Sequence, residues 1–89
     1  MFQYQGKTAL ITGASSGIGA AFVHALAMRG MSVILVARSE EAMNSLAAEV
    51  KQKHQVQAHV ITADLSQIDA AAKIGQIVAE RGLTVDLLI

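Results

Sequence analysis

Cysteine, proline and tryptophan are absent from this 89-residue sequence, and aromatic residues make up only 3% of it. Without cysteine, the chain can form neither disulfides nor thiolate-ligated metal sites. That absence fits a cytoplasmic protein, which we expect this one to be. The three histidines share no metal-ligand spacing and have no paired carboxylate beside them, so we expect no metal site. Since the sequence shows no linker and no repeat, we expect residues 1–89 to form a single domain.

An excess of charge and a long hydrophobic run are also lacking. Seven basic and seven acidic residues give a net charge of zero, and no basic stripe is present, so we expect no nucleic-acid partner. No window reaches the roughly 18 apolar residues of a membrane span, so we expect no membrane partner. The apolar fraction is nevertheless 53%, with only 16% of residues charged. We interpret this high apolar fraction as apolar surface that additional polypeptide would cover.

Short apolar runs divide the sequence at regular intervals. Residues 8–12 and 32–37 are rich in β-forming side chains, and the second run is continuously apolar, as is typical of a strand buried on both faces. Residues 56–60 alternate apolar and polar side chains, which predicts a more exposed strand near an edge of the sheet. Residues 85–89 begin a fourth predicted strand.

Three segments between these runs carry apolar residues at helical spacing. The first has one helical progression that closes at Gly30, which suits the position after the last helical residue. Its members are Ile18, Phe22, Ala25, Leu26 and Arg29. Ser39 is a suitable N-cap for the second helix, and Ser66 is a suitable N-cap for the third. The predicted order of elements is therefore β-α-β-α-β-α-β.

Strands that alternate with helices of this length predict an α/β fold with a parallel sheet and right-handed crossovers. In a doubly wound sheet of the Rossmann type, the spatial order of these four strands would be 3-2-1-4. Ligands of such sheets bind outside the C-terminal ends of the strands, beside the first strand. We therefore expect the functional site at the C-terminal ends of the strands, near Thr12, Ala37 and Asp64.

The most informative segment joins the first strand to the first helix, with the sequence Thr-Gly-Ala-Ser-Ser-Gly-Ile-Gly at residues 12–19. Gly13 allows a tight turn out of the strand, while Gly17 and Gly19 let the backbone approach a phosphate and pack closely on the sheet. The first N–H groups of the helix have no partner within it, and the helix dipole is positive there. The segment therefore predicts a diphosphate site, although the pattern lacks the Gly-Lys-Ser/Thr of a nucleoside-triphosphate loop.

This segment closely resembles the cofactor fingerprint of the short-chain dehydrogenase/reductase family, and the resemblance extends over the whole chain. It implies a nicotinamide dinucleotide as cofactor and partner. By that likeness, residues of this loop line the cofactor, some near the diphosphate (Gly13, Gly17, Ile18, Gly19) and others near the adenosine (Ser15, Ser16). The alternative is a glycine-rich turn that binds nothing.

The end of the second strand bears on the choice of cofactor. NAD-binding Rossmann domains place an acidic residue there to hold the ribose 2′-hydroxyl, whereas this chain has Ala37 followed by Arg38 and Ser39. A guanidinium can pair with the 2′-phosphate, so we expect NADP(H) rather than NAD(H). Against this, Ser16 stands where many NADP-preferring relatives carry a basic residue. The alternatives are a solvated charge for Arg38 and a helix-capping role for Ser39.

Asp64 and Leu65 follow the third strand. In the family an Asp at this place, followed by an apolar residue, flanks the adenine ring. The resemblance therefore implies that Asp64 accepts from the exocyclic amine and that Leu65 covers the ring face. The alternative is that Asp64 has only a structural role, in ending the strand and forming the loop before the predicted cap at Ser66.

The family's chemistry needs a Tyr and a Lys four residues apart on one helix face, which these 89 residues do not contain. Tyr4 and Lys7 precede the first strand, and we expect both to lie at the surface. No catalytic residue is therefore assigned. The resemblance implies a parent NADP-dependent oxidoreductase acting on a carbonyl or alcohol, while this piece alone is expected to be inactive.

The final residues, Leu87 to Ile89, suggest a truncated domain, because its last strand would form an apolar edge. We expect that edge to be hidden by self-association, which predicts a homo-oligomer. The alternative function is a stand-alone, non-catalytic module that binds or senses a dinucleotide.

Overall fold

The computed structural model describes residues 3–89; Met1 and Phe2, the first residues of the expected domain, lie outside this range. The elements alternate between strand and helix along the chain. They are β1 (Thr8–Thr12), α1 (Gly17–Met28), β2 (Ser32–Ala37), α2 (Glu40–His54), β3 (Ala58–Thr62), α3 (Ala70–Glu80) and β4 (Leu87–Leu88). The strands form one parallel sheet in the order β3-β2-β1-β4. The expected Rossmann-type topology and strand order are confirmed.

The second strand is the centre of the core, as its continuous apolar run predicts. Successive side chains of a strand point to opposite faces, so β2 contributes to two separate apolar clusters. Val33 and Leu35 pack under α1 and α2, whereas Ile34 and Val36 pack under α3. All four side chains are fully buried. Burial of each side chain stabilises the fold by about 1.5–3 kcal/mol relative to an exposed position. The sheet that carries the site is therefore stably packed.

The third strand begins two residues later than the alternating pattern of residues 56–60 predicts. Helix α2 extends to His54, and Gln55 adopts a left-handed conformation with φ of 57° that ends the helix. The following two residues are then needed to turn the chain into the sheet. The expectation that β3 lies at an edge of this four-stranded sheet is confirmed.

The buried face of the first helix shares Leu26 with the predicted apolar progression but does not include the large residues at the start of that progression. Ile18 and Phe22 are 76% and 43% exposed. The buried residues of the helix are Gly19, Val23, Leu26 and Ala27. Gly30 follows the helix with φ of 90°, in agreement with its predicted role at the helix end.

The two predicted serine caps have different outcomes. The hydroxyl of Ser39 accepts from the amide of Ala42 at 3.3 Å and caps α2 as expected. The prediction that Ser66 caps the third helix is wrong, since α3 begins at Ala70 and its N-cap is Asp69. Ser66 does not cap because its hydroxyl and amide both donate to Asp64, which folds residues 64–67 into a turn before the helix.

Candidate functional site

The loop between β1 and α1 is held together by Ser16. Its amide donates to the carbonyl of Gly13 at 3.0 Å, and its hydroxyl donates to the same carbonyl at 2.8 Å. The hydroxyl also accepts from the amide of Gly19 at 3.1 Å, which caps α1. The amide of Ala14 donates to the carbonyl of Val36 in β2, so the loop is anchored to the neighbouring strand. The side chain of Ser16 is thus used to shape the loop.

The glycines of this loop serve different purposes. Gly13 has φ of 63°, a left-handed conformation that suits the sharp turn out of the strand. A Cβ atom on Gly19 would overlap the carbonyl oxygen of Gly13, so the helix can pack this closely only on a glycine. A Cβ atom on Gly17 would meet no described atom within 4 Å. The backbone at Gly17 is therefore open to a ligand, and the helix provides no partner for the N–H groups of Gly17 and Ile18.

A cleft of about 490 Å³ extends from this loop across the C-terminal ends of β1, β2 and β3. It brings together residues from three loops that are distant in the sequence. Its lining consists of Gly13, Ser15, Ser16, Ala37, Arg38, Ser39, Ala63, Asp64, Leu65 and Ser66. The volume and the position at the switch point of the strand order match the usual ligand site of such a sheet.

Arg38 stands at the end of β2, exposed in the wall of the cleft. It also lines a second cleft of about 390 Å³, on the side of α3, which Lys73 and Asp64 border as well. Ala37, directly before it, places no carboxylate at the strand end. Ser39 caps α2 through its hydroxyl and still lines the larger cleft. A guanidinium in this position is available to an anionic group bound in the cleft.

Asp64 carries the negative charge of the site. Its Oδ1 atom accepts from the Ser66 hydroxyl at 2.6 Å and from the Ser66 amide at 2.9 Å. These two hydrogen bonds hold the pKa of the Asp64 carboxyl below its usual range, and the Arg38 charge lowers it further. The carboxyl is therefore ionised at neutral pH and acts only as an acceptor. Leu65, 47% exposed, lies beside it in the cleft wall.

Seven of the ten residues predicted for the site line the larger cleft together. The other three lie at the start of α1. Gly17 and Ile18 border a shallow apolar groove with Ala21, Phe22 and Ala25, and Gly19 is buried beneath the loop. The lining residues that the site prediction missed are Ala37, Ala63 and Ser66. Of these three, Ser66 has the polar side chain, and its signal was the Asp-x-Ser spacing that favours a local side-chain turn.

The N-terminal residues lie away from the cleft. The amide of Lys7 donates to the carbonyl of Tyr4, and the ring of Tyr4 lies 5.6 Å from the Arg29 guanidinium. Both contacts are at the end of the sheet where β1 begins, whereas the cleft lies where β1 ends. Tyr4 is 37% exposed, in agreement with its expected place at the surface.

Two other kinds of site are absent from residues 3–89. In that range, no group of three or more His, Cys, Asp or Glu side chains could hold a metal ion. The same range contains no helix with the length and apolar character needed to cross a bilayer.

The sequence is similar to reductases and dehydrogenases of one family. The model of the short chain dehydrogenase family matches residues 7–89. Among individual relatives, the very-long-chain 3-oxoacyl-CoA reductase-A of Danio rerio is 38% identical over 84 residues, which are 94% of this chain and 26% of the relative. The chain thus spans about a quarter of the length of the curated relatives it matches.

Solved structures with the same fold include complexes with both nicotinamide dinucleotides. The L-sorbose reductase of Gluconobacter frateurii, complexed with NADPH and L-sorbose, is 31% identical with a TM-score of 0.87, covering 94% of this chain and 32% of that one. An NAD⁺-bound xylitol dehydrogenase is 28% identical with a TM-score of 0.83, covering 98% and 33%. A nicotinamide dinucleotide is therefore the class of ligand that such chains hold.

Proposed function

The chain belongs to the short-chain dehydrogenase family, and on that premise we propose that it binds NADP(H) as the cofactor-holding part of an oxidoreductase. The parent enzyme transfers a hydride between NADP(H) and a carbonyl or alcohol. The observation that carries the proposal is the cleft of about 490 Å³ that joins the glycine loop, Arg38 and Asp64. We assign residues 1–89 to the first part of one dinucleotide-binding domain.

The glycine loop is the proposed diphosphate site. The first N–H groups of α1, at Gly17 and Ile18, are free of helical partners and lie at the positive end of the helix dipole. Because Gly17 has no side chain and faces open space, a diphosphate can reach these amides. Gly13, Ser15 and Ser16 form the adjoining cleft wall. When bound, the cofactor supplies or accepts the hydride, while this part of the chain holds and orients it.

The preference for NADP(H) over NAD(H) rests on the end of β2. Arg38 offers a guanidinium in the cleft wall, and Ala37 offers no acidic group that would repel a phosphate. Ser39, next along the wall, adds a hydroxyl. The proposed role of these residues is to hold the 2′-phosphate of the adenosine ribose.

The adenine is assigned to the wall formed after β3. The ionised carboxylate of Asp64 is an acceptor suited to the exocyclic amine of the ring. The exposed side chain of Leu65 supplies an apolar surface for the ring face.

A non-catalytic dinucleotide-binding or sensor module is the second candidate. The observation that favours it is that Tyr4, the sequence's one tyrosine, lies where β1 begins, at the opposite end of the strands from the cleft. We accordingly propose that these 89 residues alone bind the dinucleotide without turnover. Spectroscopic observation of NADPH oxidation by the longer protein with a carbonyl substrate would decide between the two candidates in favour of the enzyme.

We further propose that the protein is a cytoplasmic homo-oligomer. The absence of cysteine means that the chain depends on no disulfide and hence on no oxidising compartment. Several large apolar side chains are exposed, among them Ile18, Phe22 and Leu88, and such surfaces favour association with a second copy.

The Arg38→Ala variant tests the cofactor assignment. We expect its affinity for NADPH to fall roughly 10- to 100-fold, because a charge-assisted pair is lost, while its affinity for NADH changes less than about twofold. Both dissociation constants can be measured by titrating the protein and following nicotinamide fluorescence. Arg29→Ala is a matched control, since it removes the same charge at the opposite end of the strands from the cleft.

If Arg38→Ala loses the same affinity for NADPH and for NADH, the assignment of Arg38 to the 2′-phosphate is wrong. A wider test is the amide spectrum of the unaltered protein. If NADPH left the amide signals of residues 13–19 unmoved, the proposed diphosphate site itself would be wrong.

A further inference from the structure

We propose that Ser66 is a positioning residue that makes the cleft selective for a purine bearing an amine at C6, by occupying one oxygen of Asp64 and directing the other to the ligand. This inference rests on the proposed function. It adds a residue that contributes to specificity without being assigned a contact with the cofactor.

The two hydrogen bonds from Ser66 meet at a single atom. The hydroxyl at 2.6 Å and the amide at 2.9 Å both donate to Oδ1 of Asp64. A carboxylate has about four lone-pair positions, two on each oxygen, so both positions on Oδ1 are taken. Oδ2 therefore keeps the capacity to accept from a ligand. Two donors on one oxygen also restrict rotation of the carboxylate. The carboxylate of an aspartate without such donors would be free to rotate.

The constrained carboxylate lies in the cleft wall. Asp64, Leu65 and Ser66 all line the cleft of about 490 Å³, together with the glycine loop and Arg38. The one proton of the Ser66 hydroxyl is donated to Asp64, so this hydroxyl could donate to the cofactor only by breaking the shorter of the two bonds. We assign its contribution to binding to the orientation of Asp64.

The charge state of Asp64 determines which ligand group is accepted. Ser66 is the main cause of the lowered pKa of Asp64, and the nearby Arg38 guanidinium adds to it. An ionised carboxylate accepts hydrogen bonds and donates none. It can pair with the C6 amine of adenine, but it meets only another acceptor at the C6 carbonyl of hypoxanthine. The cleft should thus distinguish NADPH from its hypoxanthine analogue, in which a carbonyl replaces that amine.

The test measures dissociation constants of both dinucleotides for four proteins: the unaltered chain, Ser66→Ala, Ser66→Thr and Asp64→Asn. We expect the unaltered chain to prefer NADPH roughly tenfold, as a hydrogen bond to a charged group allows. Ser66→Ala loses the hydroxyl donor but keeps the amide donor, so its preference for NADPH should shrink toward equal binding, with its affinity for the analogue unchanged. Ser66→Thr retains both donors and should restore the tenfold preference.

Asp64→Asn provides an independent readout. Its amide oxygen can still accept from Ser66, while its NH₂ group can donate to the C6 carbonyl of hypoxanthine. We expect the preference to reverse toward the analogue. This variant keeps the proposal testable even if Ser66→Ala unfolds, which thermal unfolding of each variant would reveal.

Equal weakening of both dinucleotides in Ser66→Ala would overturn the inference, because it would show that Ser66 merely shapes the loop. An unchanged preference for NADPH in Asp64→Asn would also overturn it. Failure of the unaltered chain to bind either dinucleotide is a different result, since it would contradict the proposed function itself.

Discussion

The backbone of Gly19 lies so close to the carbonyl group of Gly13 that no side chain can stand between them. That carbonyl also accepts two hydrogen bonds from Ser16, so it cannot move without opening the loop. The first turn of α1 is thereby fixed beneath the turn that leaves β1. Gly19 is required by the protein's own packing, whereas Gly17, two residues earlier, faces open space.

The pair Gly19→Ala and Gly17→Ala should separate folding from binding. The methyl group at residue 19 meets backbone atoms, so we expect the free energy of unfolding to fall by about 1–3 kcal/mol and dinucleotide binding to be lost. At residue 17 the methyl group meets no protein atom, so the free energy of unfolding should change by less than about 1 kcal/mol. It would still stand where the backbone is proposed to meet the diphosphate, and affinity for NADPH should fall at least roughly tenfold.

Denaturant unfolding and NADPH titration of both variants check this prediction, each variant serving as the control for the other. Gly17→Ala that binds NADPH as tightly as the unaltered chain would contradict the assignment of the diphosphate to this backbone.

His59 in the edge strand β3 should make stability depend on pH. Partial burial lowers the pKa of His59, and the positive charges of Arg81 and Lys51 lower it further. The unfolded chain therefore binds a proton more readily than the folded one, so the free energy of unfolding should decrease as pH falls below about 6.5. The decrease continues until the pH passes the lower pKa of the folded state.

Replacement of His59 by Gln should flatten the dependence of the free energy of unfolding on pH between about 5 and 7. Arg81→Gln should raise the pKa of His59, because it removes one of the charges that lower it. Both effects can be followed by denaturant unfolding at several pH values and by NMR titration of the imidazole signals. An imidazole pKa at or above the ordinary histidine value in the unaltered chain would refute this account.

Leu88 offers a test of self-association. Its side chain is 69% exposed and borders an apolar groove with Leu10, Val78 and Val85. Leu88 lies in β4, at the opposite edge of the sheet from β3. A lysine in an edge strand opposes pairing with another chain. We expect Leu88→Lys to shift the protein toward a smaller species, as measured by light scattering at high concentration. Ile68→Lys is the matched control, since Ile68 is fully exposed in a turn.

If the unaltered chain is a compact monomer at high concentration, the proposal of a homo-oligomer is wrong. The same size distribution for Leu88→Lys and the unaltered chain would show that this edge is not the surface involved.

The parts of the fold that follow from burial alone could be predicted from the sequence. β2 is buried on both faces and so carries an uninterrupted apolar run, and the order of elements then determined the sheet topology. The face of α1 could not be predicted in this way. Gly19 packs on the sheet because it is small, while the larger Ile18 and Phe22 remain exposed, and a pattern of hydrophobicity takes no account of size.

The candidate site shows the same division. Arg38 and Asp64 could be predicted to converge, because both follow the C-terminal ends of neighbouring parallel strands. The role of Ser66 could not, since a serine can donate to a nearby carboxylate or cap a helix, and both choices are local. Only the structure shows that Asp64 takes both donors of Ser66.

β1 pairs with β2 on one side and with β4 on the other, and the two pairings differ greatly in the length of chain they enclose. Thr8 lies opposite Ser32, 24 residues away, but its amide bonds to the side chain of Asp86 across 78 residues. Closing the longer loop costs about 1 kcal/mol more conformational entropy. Assembly should therefore nucleate in the β1-α1-β2 unit, with β4 docking last. In native-state hydrogen exchange, the amides of β4 should lose protection first.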